Sequence, residues 1–594
     1  MVALTFHGGV DEIGGNKVLL ETDDGAVLLD FGRRMGMTGE YYSEFLQVRS
    51  RNALRDLLRL GVLPEIDGVY DASFLDVSTM MEDKSDMGKI PVEYAPDYWL
   101  SERVKPFDPD SPRVGAVFVS HAHFDHIQDV SFLDPSIPII CTDETEILVK
   151  AISDVSVSAV DQQFYELKRQ SQIIPKKPGH RTLFPGALDY KDLSDKQILP
   201  DEKTDYQFTK EYVPQYRTFI TELEGEINGI KYRQIPVGHS VPGACSVLLT
   251  LPDGRRILYT GDIRFKGITG ASIDKYVEAV GEPVDYLITE GTRINSESVI
   301  TEEEIKADIG KSEGLVLVDF GWKDTSRVQV IYEAAKANDR VFVIGPKTAY
   351  LLYEMHINFP HEYDDPREMP NLKVYLKREK SLLYSNADYS KYKMGYLQHH
   401  GKNSALDDWN IVRIAERLGI GGKDGNVKNP LPSPMPPEYR EVYELATHHL
   451  RKGVRAYEIR ANPKKYVLVF SYWDSNELFD FIPGDGGHQT RYIKASTEPF
   501  NDEMMNDEGK FMNWLDKFGV DYEHDLVEKE NKVEKIFTRR HISGHASQPE
   551  LVEMITKLDP GKIIPVHTLD AKKFEEFFPG KVILLEGNGE KVEL

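Results

Sequence analysis

Short apolar runs alternate along the chain with amphipathic stretches and irregular inserts. Near the start, Lys17-Val18-Leu19-Leu20-Glu21 and Ala26-Val27-Leu28-Leu29-Asp30 flank Asp23-Asp24-Gly25, which predicts two strands joined by a tight turn. Val114-Gly115-Ala116-Val117-Phe118-Val119 predicts a buried strand. From Gly314 the segment GLVLVDFGWKDTSRVQVIYEAAKANDRVFVIG reads as strand, loop, helix and strand, a βαβ unit, and a separate α/β domain is expected to begin there. Residues 34–112 mix Pro, Met, Tyr and charge around one helical pattern from Asn52 to Leu60, and read as an insertion before the strand at 114. Residues 160–230 read as a second insertion, and 360–440 as irregular connection with helices. No internal repeat or low-complexity tract is visible.

Composition narrows the function classes. A chain of 594 residues with 40% apolar residues can bury a sizeable core and suggests roughly two to four domains. The net charge of -25 argues against a chain held on nucleic acid or anionic membrane by its overall charge, so contact with a polyanion has to be local. Cys141 and Cys245 are the only cysteines, which leaves no disulfide framework and no Cys-rich zinc finger. The opening MVALTFHGGV lacks the pattern of a signal peptide, and no run of about 18 apolar residues occurs. A cytoplasmic protein without membrane contact is expected.

The strand ending at Val119 leads into VSHAHFDHIQD, residues 119–129, with three histidines and two aspartates. His121, His123, Asp125 and His126 fall on the loop after it, where a tight turn can aim several side chains at one point. Neutral imidazole and carboxylate are the ligands that zinc and similar ions accept. Other apolar strands end in further candidates: His239 in QIPVGHSVPGACSVLLT, Asp262 in RRILYTGDIRF and His567 in GKIIPVHTLD. Each alone is most often a turn residue. Together they allot His121, His123 and His239 to one ion and Asp125, His126 and His567 to another, with Asp262 bridging. Two divalent ions are the expected cofactor, zinc or manganese, because this ligand set suits both.

HAHFDH, GHSVPGA, YTGDIRF, HISGHAS and PVH resemble, in that order, the motifs of the metallo-β-lactamase fold in its β-CASP nuclease branch, most closely ribonuclease J. GGVDEIGGN also resembles the opening of ribonuclease J-like chains, its glycines shaping a loop near the metals; the G-x-G-x-x-G spacing of a dinucleotide site is missing. The resemblance runs from Gly8 to His567. It implies an α/β fold: a metallo-β-lactamase αββα sandwich over residues 1–291 and 537–594, and an inserted β-CASP α/β domain over 292–536. The substrate cleft would lie between them.

The resemblance also implies roles. Asp125 would be catalytic as well as ligating, Glu290 of YLITEGTR would be the strand-end acid, and His545 of SGHA the catalytic histidine, a general acid oriented by Glu290. His541 and Ser543 would hold substrate phosphate and favour a 5′-monophosphate end. Read from the residues alone, HISGHASQPELVEMI is a Gly turn followed by a helix with Ser547 and Glu550 in capping-box spacing, whose free N–H groups suit a phosphate. Asp324 or Thr325 can cap another helix, leaving Ser326 and Arg327 in its first turn as further phosphate contacts. Tyr472 and Trp473 read as core packing rather than base-stacking platforms.

The expected activity is two-metal hydrolysis of single-stranded RNA, 5′-to-3′ from a monophosphorylated end, with endonuclease action as a further mode. A DNA nuclease is an alternative, since nothing specifies recognition of a 2′-hydroxyl. A catalytically inactive scaffold in a nucleic-acid-processing complex is another, which the intact ligand set argues against. The family pattern admits a homodimer, although only 27 residues (594 − 567) follow His567, too few for its separate C-terminal domain. The chain departs from the pattern at Ile127-Gln128-Asp129, where glycine-rich residues are usual, and at Thr568, where glycine is common.

Overall fold

The computed structural model describes residues 2–594 except 44–45, 50–51, 76–103, 156–158, 171–173, 176–205, 208–211, 269, 271, 298–302, 378–452, 484–488, 497–501, 530–531 and 541–542. Most of the expected inserts at 160–230 and 360–440, and His541, lie outside the described residues.

The N-terminal hairpin forms as its alternation predicts. Lys17–Thr22 pairs antiparallel with Gly25–Leu29, closing at Thr22 and Gly25. Both belong to a seven-stranded sheet ordered Phe219–Ile220, Ile139–Ile140, Val114–Phe118, Gly25–Leu29, Lys17–Thr22, Ala3–Gly8 and Glu590–Glu593. A six-stranded sheet faces it, ordered Glu224–Ile227, Ile230–Pro236, Cys245–Thr250, Arg256–Tyr259, Tyr286–Glu290 and Lys562–Val566. Successive side chains of a strand point to opposite faces, so these strands carry two apolar sets. Val18 and Leu20 join Phe118, Val247, Tyr259 and Ile564 between the sheets, while Leu19 joins an outer core under the helices Ala53–Arg59 and Asp143–Val155. The six-stranded sheet is covered on its far side by Ile273–Val280 and Gln548–Leu558. The result is an αββα sandwich.

The βαβ pattern after Gly314 becomes Val316–Asp319, the helix Thr325–Ala337 and Val341–Ile344. The two strands lie in one seven-stranded parallel sheet, separated by Tyr466–Val469. Cores on both faces of this sheet explain why its strands are apolar throughout rather than alternating. The hairpin of His524–Lys529 and Lys532–Phe537 follows, and contacts with this sheet continue to Arg540, whose N–H donates to the Lys494 carbonyl at 2.7 Å. The helix Gln548–Leu558 and the strand Lys562–Val566 then return to the sandwich. The two units share a core: Tyr350, Leu351 and Met355 of the helix Pro346–Asn358 are buried with Leu148 and Ile152, and Tyr350 Oη donates to Asp154 Oδ2 at 2.7 Å. The expectation for Trp473 is corrected. Tyr472 packs against Phe511, but Trp473 is 70% exposed, because the turn of 3-10 helix at Tyr472–Glu477 rotates it outward.

Candidate metal centre

The strands Arg256–Tyr259, Tyr286–Glu290 and Lys562–Val566 are parallel neighbours, and Val114–Phe118 runs parallel to Gly25–Leu29 in the facing sheet. Parallel strands end on one edge, so the loops that follow them converge. Asp30, His121, Asp262, Glu290 and His567 all stand at or just past such ends. Gly238 and Arg264 are linked by an isolated bridge, which brings His239 to the same edge.

His121, His123, His239 and Asp262 place one ligand atom each within 4.8 Å of one another, as do Asp125, His126 and His567, and Asp262, Glu290, His545 and His567. In the first group His123 Nδ1 lies 3.0 Å from His121 Nε2 and 3.0 Å from His239 Nε2. Asp262 Oδ2 is 3.6 Å from His121 Nε2 and 3.8 Å from His239 Nε2. A tetrahedral ion with bonds of about 2.0–2.1 Å separates its ligand atoms by about 3.3 Å, so the set fits such an ion. In the second group His567 Nε2 lies 3.3 Å from Asp125 Oδ2 and 3.7 Å from Asp262 Oδ1, and His126 Nε2 lies 3.2 Å from Asp262 Oδ2. Asp262 thus faces both groups. Its Oδ1 and His126 Nε2 are buried without a hydrogen-bond partner among the described residues, a costly state that a bound cation would relieve.

Partners outside the cluster fix the orientation of the ligand rings. His239 Nδ1 donates to the Gly544 carbonyl at 2.6 Å, which can only accept, so Nε2 presents its lone pair. His126 Nδ1 faces Asp30 Oδ2 at 2.7 Å, and His567 Nδ1 faces Thr292 Oγ1 at 2.8 Å. Burial keeps His121 and His123 well below the usual histidine range, and pushes His239 down to about 3. Burial opposes charge on His126 as well, but the carboxylates of Asp262, Asp125 and Asp30 outweigh it and raise its pKa. For Asp262 burial raises the pKa and the surrounding histidines outweigh that, so it stays ionised.

Sequence reasoning missed Asp30. Its Oδ1 accepts from Ser120 N at 2.7 Å, and its Oδ2 from Ser120 Oγ at 2.8 Å and Tyr259 Oη at 2.5 Å as well as His126. The available signal was its place at the end of the buried run AVLLD, the same pattern that singled out Asp262. Asp30 and His567 adopt left-handed backbone, φ 54° and 51°, the kind of strain that persists where neighbours fix a site. The glycines of GGVDEIGGN do lie against the cluster: Gly15 N donates to the Asp125 carbonyl at 3.0 Å, and a Cβ on Gly14 would come within 2.6 Å of Asp125 Oδ2.

His545 stands beside the cluster. Its Nδ1 is 2.9 Å from Glu290 Oε2, whose other oxygen accepts from Ile263 N at 2.9 Å. Burial opposes its protonation, but Glu290, Asp262 and Asp125 prevail and raise it to about 9. Ser543 Oγ accepts from His545 N at 3.2 Å, and Ser547 and Glu550 form the capping box that opens the helix Gln548–Leu558. Asp324 caps the helix Thr325–Ala337 by accepting from Arg327 N at 2.9 Å. Ser326 and Arg327 are buried at the junction of the two units rather than presented on a surface: Ser326 Oγ donates to Asp324 Oδ1 at 2.6 Å and accepts from Arg264 Nη2 at 3.4 Å.

Residues 532–576 match the family described as the Zn-dependent metallo-hydrolase RNA specificity domain, a segment that contains Ser543, His545 and His567. The probable RNase MJ4 of Methanocaldococcus jannaschii is 26% identical over 188 residues, 31% of this chain and 35% of that protein, so the match spans about a third of that relative. A protein of unknown function from Enterococcus faecalis V583 shares the fold along the whole of both chains, with TM-score 0.56 and 17% identity. The metallo-beta-lactamase fold protein YhfI from Bacillus subtilis aligns over 49% of this chain and 72% of its own, with TM-score 0.22 and 12% identity. Sandwich, site and RNA-specificity segment define the class, a metallo-hydrolase fold. The segment match and the fold support a place for the chain among proteins of the metallo-β-lactamase/β-CASP type.

Proposed function

We propose that the protein is a two-metal phosphodiesterase that degrades single-stranded RNA from a 5′-monophosphate end, in the manner of ribonuclease J. The observation that carries this reading is the convergence of seven ligand side chains with the His545–Glu290 pair beside them. His121, His123 and His239 hold one divalent ion and Asp125, His126 and His567 the other, with Asp262 shared. When bound, such ions lower the pKa of a water and offset charge growing on phosphoryl oxygens.

The chain's own residues supply the rest. Asp30, the Gly544 carbonyl and Thr292 fix the three ligand rings, so their lone pairs converge without reorganisation. Glu290 orients His545 and favours its protonated form, which suits transfer of a proton to the leaving oxygen. Ser543 and His541 are candidates for holding substrate phosphate; at the helix N-terminus beside them the Gln548 N–H donates instead to the Ser296 carbonyl at 3.0 Å and the capping box takes the Glu550 N–H. Ser326 and Arg327, proposed as further phosphate contacts, are held at the junction by Asp324, and Ser326 also accepts from Arg264.

The test is a parallel assay of end-labelled RNA and DNA of one sequence with 5′-monophosphate, 5′-triphosphate or 5′-hydroxyl. Preferential loss of 5′-monophosphate RNA supports the proposal. Equal or faster cutting of DNA would replace it with a DNA nuclease, and no turnover by the metal-loaded chain would favour a scaffold.

A further inference from the structure

The loop 321–324 of the parallel-sheet unit reaches across to the sandwich. Its Lys323 Nζ donates to the Ala122 carbonyl at 3.1 Å and lies 4.5 Å from the centre of the Phe124 ring. Ala122 is the residue between His121 and His123, and it is fully buried. One turn further, Ser326 Oγ accepts from Arg264 Nη2, and the same nitrogen donates to the His239 carbonyl at 2.8 Å. The parallel-sheet unit therefore bonds directly to the backbone between His121 and His123, and reaches the His239 carbonyl only through Arg264 of the sandwich. The loop is anchored at its C-terminal end, because Asp324 caps the helix that follows and that helix is packed through Val328, Ile331 and Ala335. Trp322 packs on the core that holds Ala122 and Val241.

We infer that Lys323 is a positioning residue, through which docking of the parallel-sheet unit holds the His121-Ala122-His123 loop in its ligating geometry. This inference rests on the reading of His121, His123 and His239 as ligands of one ion. Its physical basis is that a carbonyl fixed from outside removes the loop's freedom before the ion arrives, and the ammonium over the Phe124 ring fixes the far side of the same turn. Metal at this site and docking of the loop are then linked, so each strengthens the other.

The experiment uses the full chain with Lys323→Met, which keeps the length of the side chain and removes the donor, and Lys323→Arg, which restores one. Zinc affinity is measured by chelator competition, the cobalt-substituted absorption spectrum reports the ligand geometry, and thermal unfolding checks the fold. Lys323→Met is expected to weaken one of the two ions about tenfold or more and change the cobalt spectrum, with Lys323→Arg recovering both. Unchanged affinity and spectrum in a folded Lys323→Met chain would overturn the inference, as would a loss that Lys323→Arg does not repair. No metal uptake by the unaltered chain would overturn the reading of the site and this inference with it.

Discussion

Asp129 supplies the negative charge that two buried cations, Lys17 and Arg33, share. It sits buried behind the ligand loop, with Oδ1 2.6 Å from Arg33 Nε and Oδ2 3.0 Å from Lys17 Nζ, and all three side chains are almost wholly excluded from solvent. Arg33 Nη1 reaches a second carboxylate, Asp161, at 3.4 Å, so two cations are balanced by two anions. Lys17 also donates to the Gly32 carbonyl, which ties the triad to the glycine packed under Asp125. Asp129→Ala leaves two buried cations facing each other with one partner between them, at a cost of about 3–5 kcal/mol. In hydrogen exchange, opening of Lys17–Thr22 and Gly25–Leu29 should become roughly two to three and a half powers of ten more frequent at equal metal occupancy. The sign of the pH effect follows from Lys17. Burial lowers its folded pKa against the pull of Asp129, and removing Asp129 lowers it further. Between the variant's folded value and the folded value of the unaltered chain, the folded variant has lost the proton that the folded unaltered chain and the unfolded chain keep, so the variant's stability rises with pH and its deficit narrows; above that window the deficit stays level. A deficit under about 1 kcal/mol, or one that widens from pH 7 toward pH 10, would refute the reasoning.

Three further outcomes are expected. Asp30→Asn removes the charge that holds His126, and should weaken metal binding about 10- to 100-fold in chelator competition while the chain stays folded. His545→Ala should lower RNA turnover about 10²- to 10⁴-fold with metal content unchanged, and Glu290→Gln should fall between it and the unaltered chain in the same assay. Gly32→Ala would place a Cβ 1.7 Å from the Asp125 carbonyl oxygen, a backbone clash that forces the ligand loop to move; loss of metal measured by elemental analysis should accompany a clear fall in melting temperature.

Much of the centre was legible because its residue types are unusual where they stand. Histidines two and five apart after a buried strand are hard to explain as a solvated loop, and strand ends at His239, Asp262 and His567 carry the same signal. The αββα sandwich was legible through the resemblance of the motifs, and its physical basis, the two apolar faces of strands such as Lys17–Thr22, shows only in the packing. What escaped depends on contacts between distant segments. Asp30 looks like an ordinary turn acid until His126, Ser120 and Tyr259 surround it. The departure at Asp129 is balanced by Lys17, more than a hundred positions earlier. Ser326 and Arg327 were placed correctly in a first helical turn, but their burial is set by packing between the two units, which no local pattern encodes.

The central claim is that this one cluster grips two divalent ions through a shared carboxylate, and elemental analysis of the purified full chain and of His239→Ala tests it most directly. Two ions per chain, falling to one in the variant, is the predicted result; an active chain without metal, or a count that His239→Ala leaves unchanged, would contradict it.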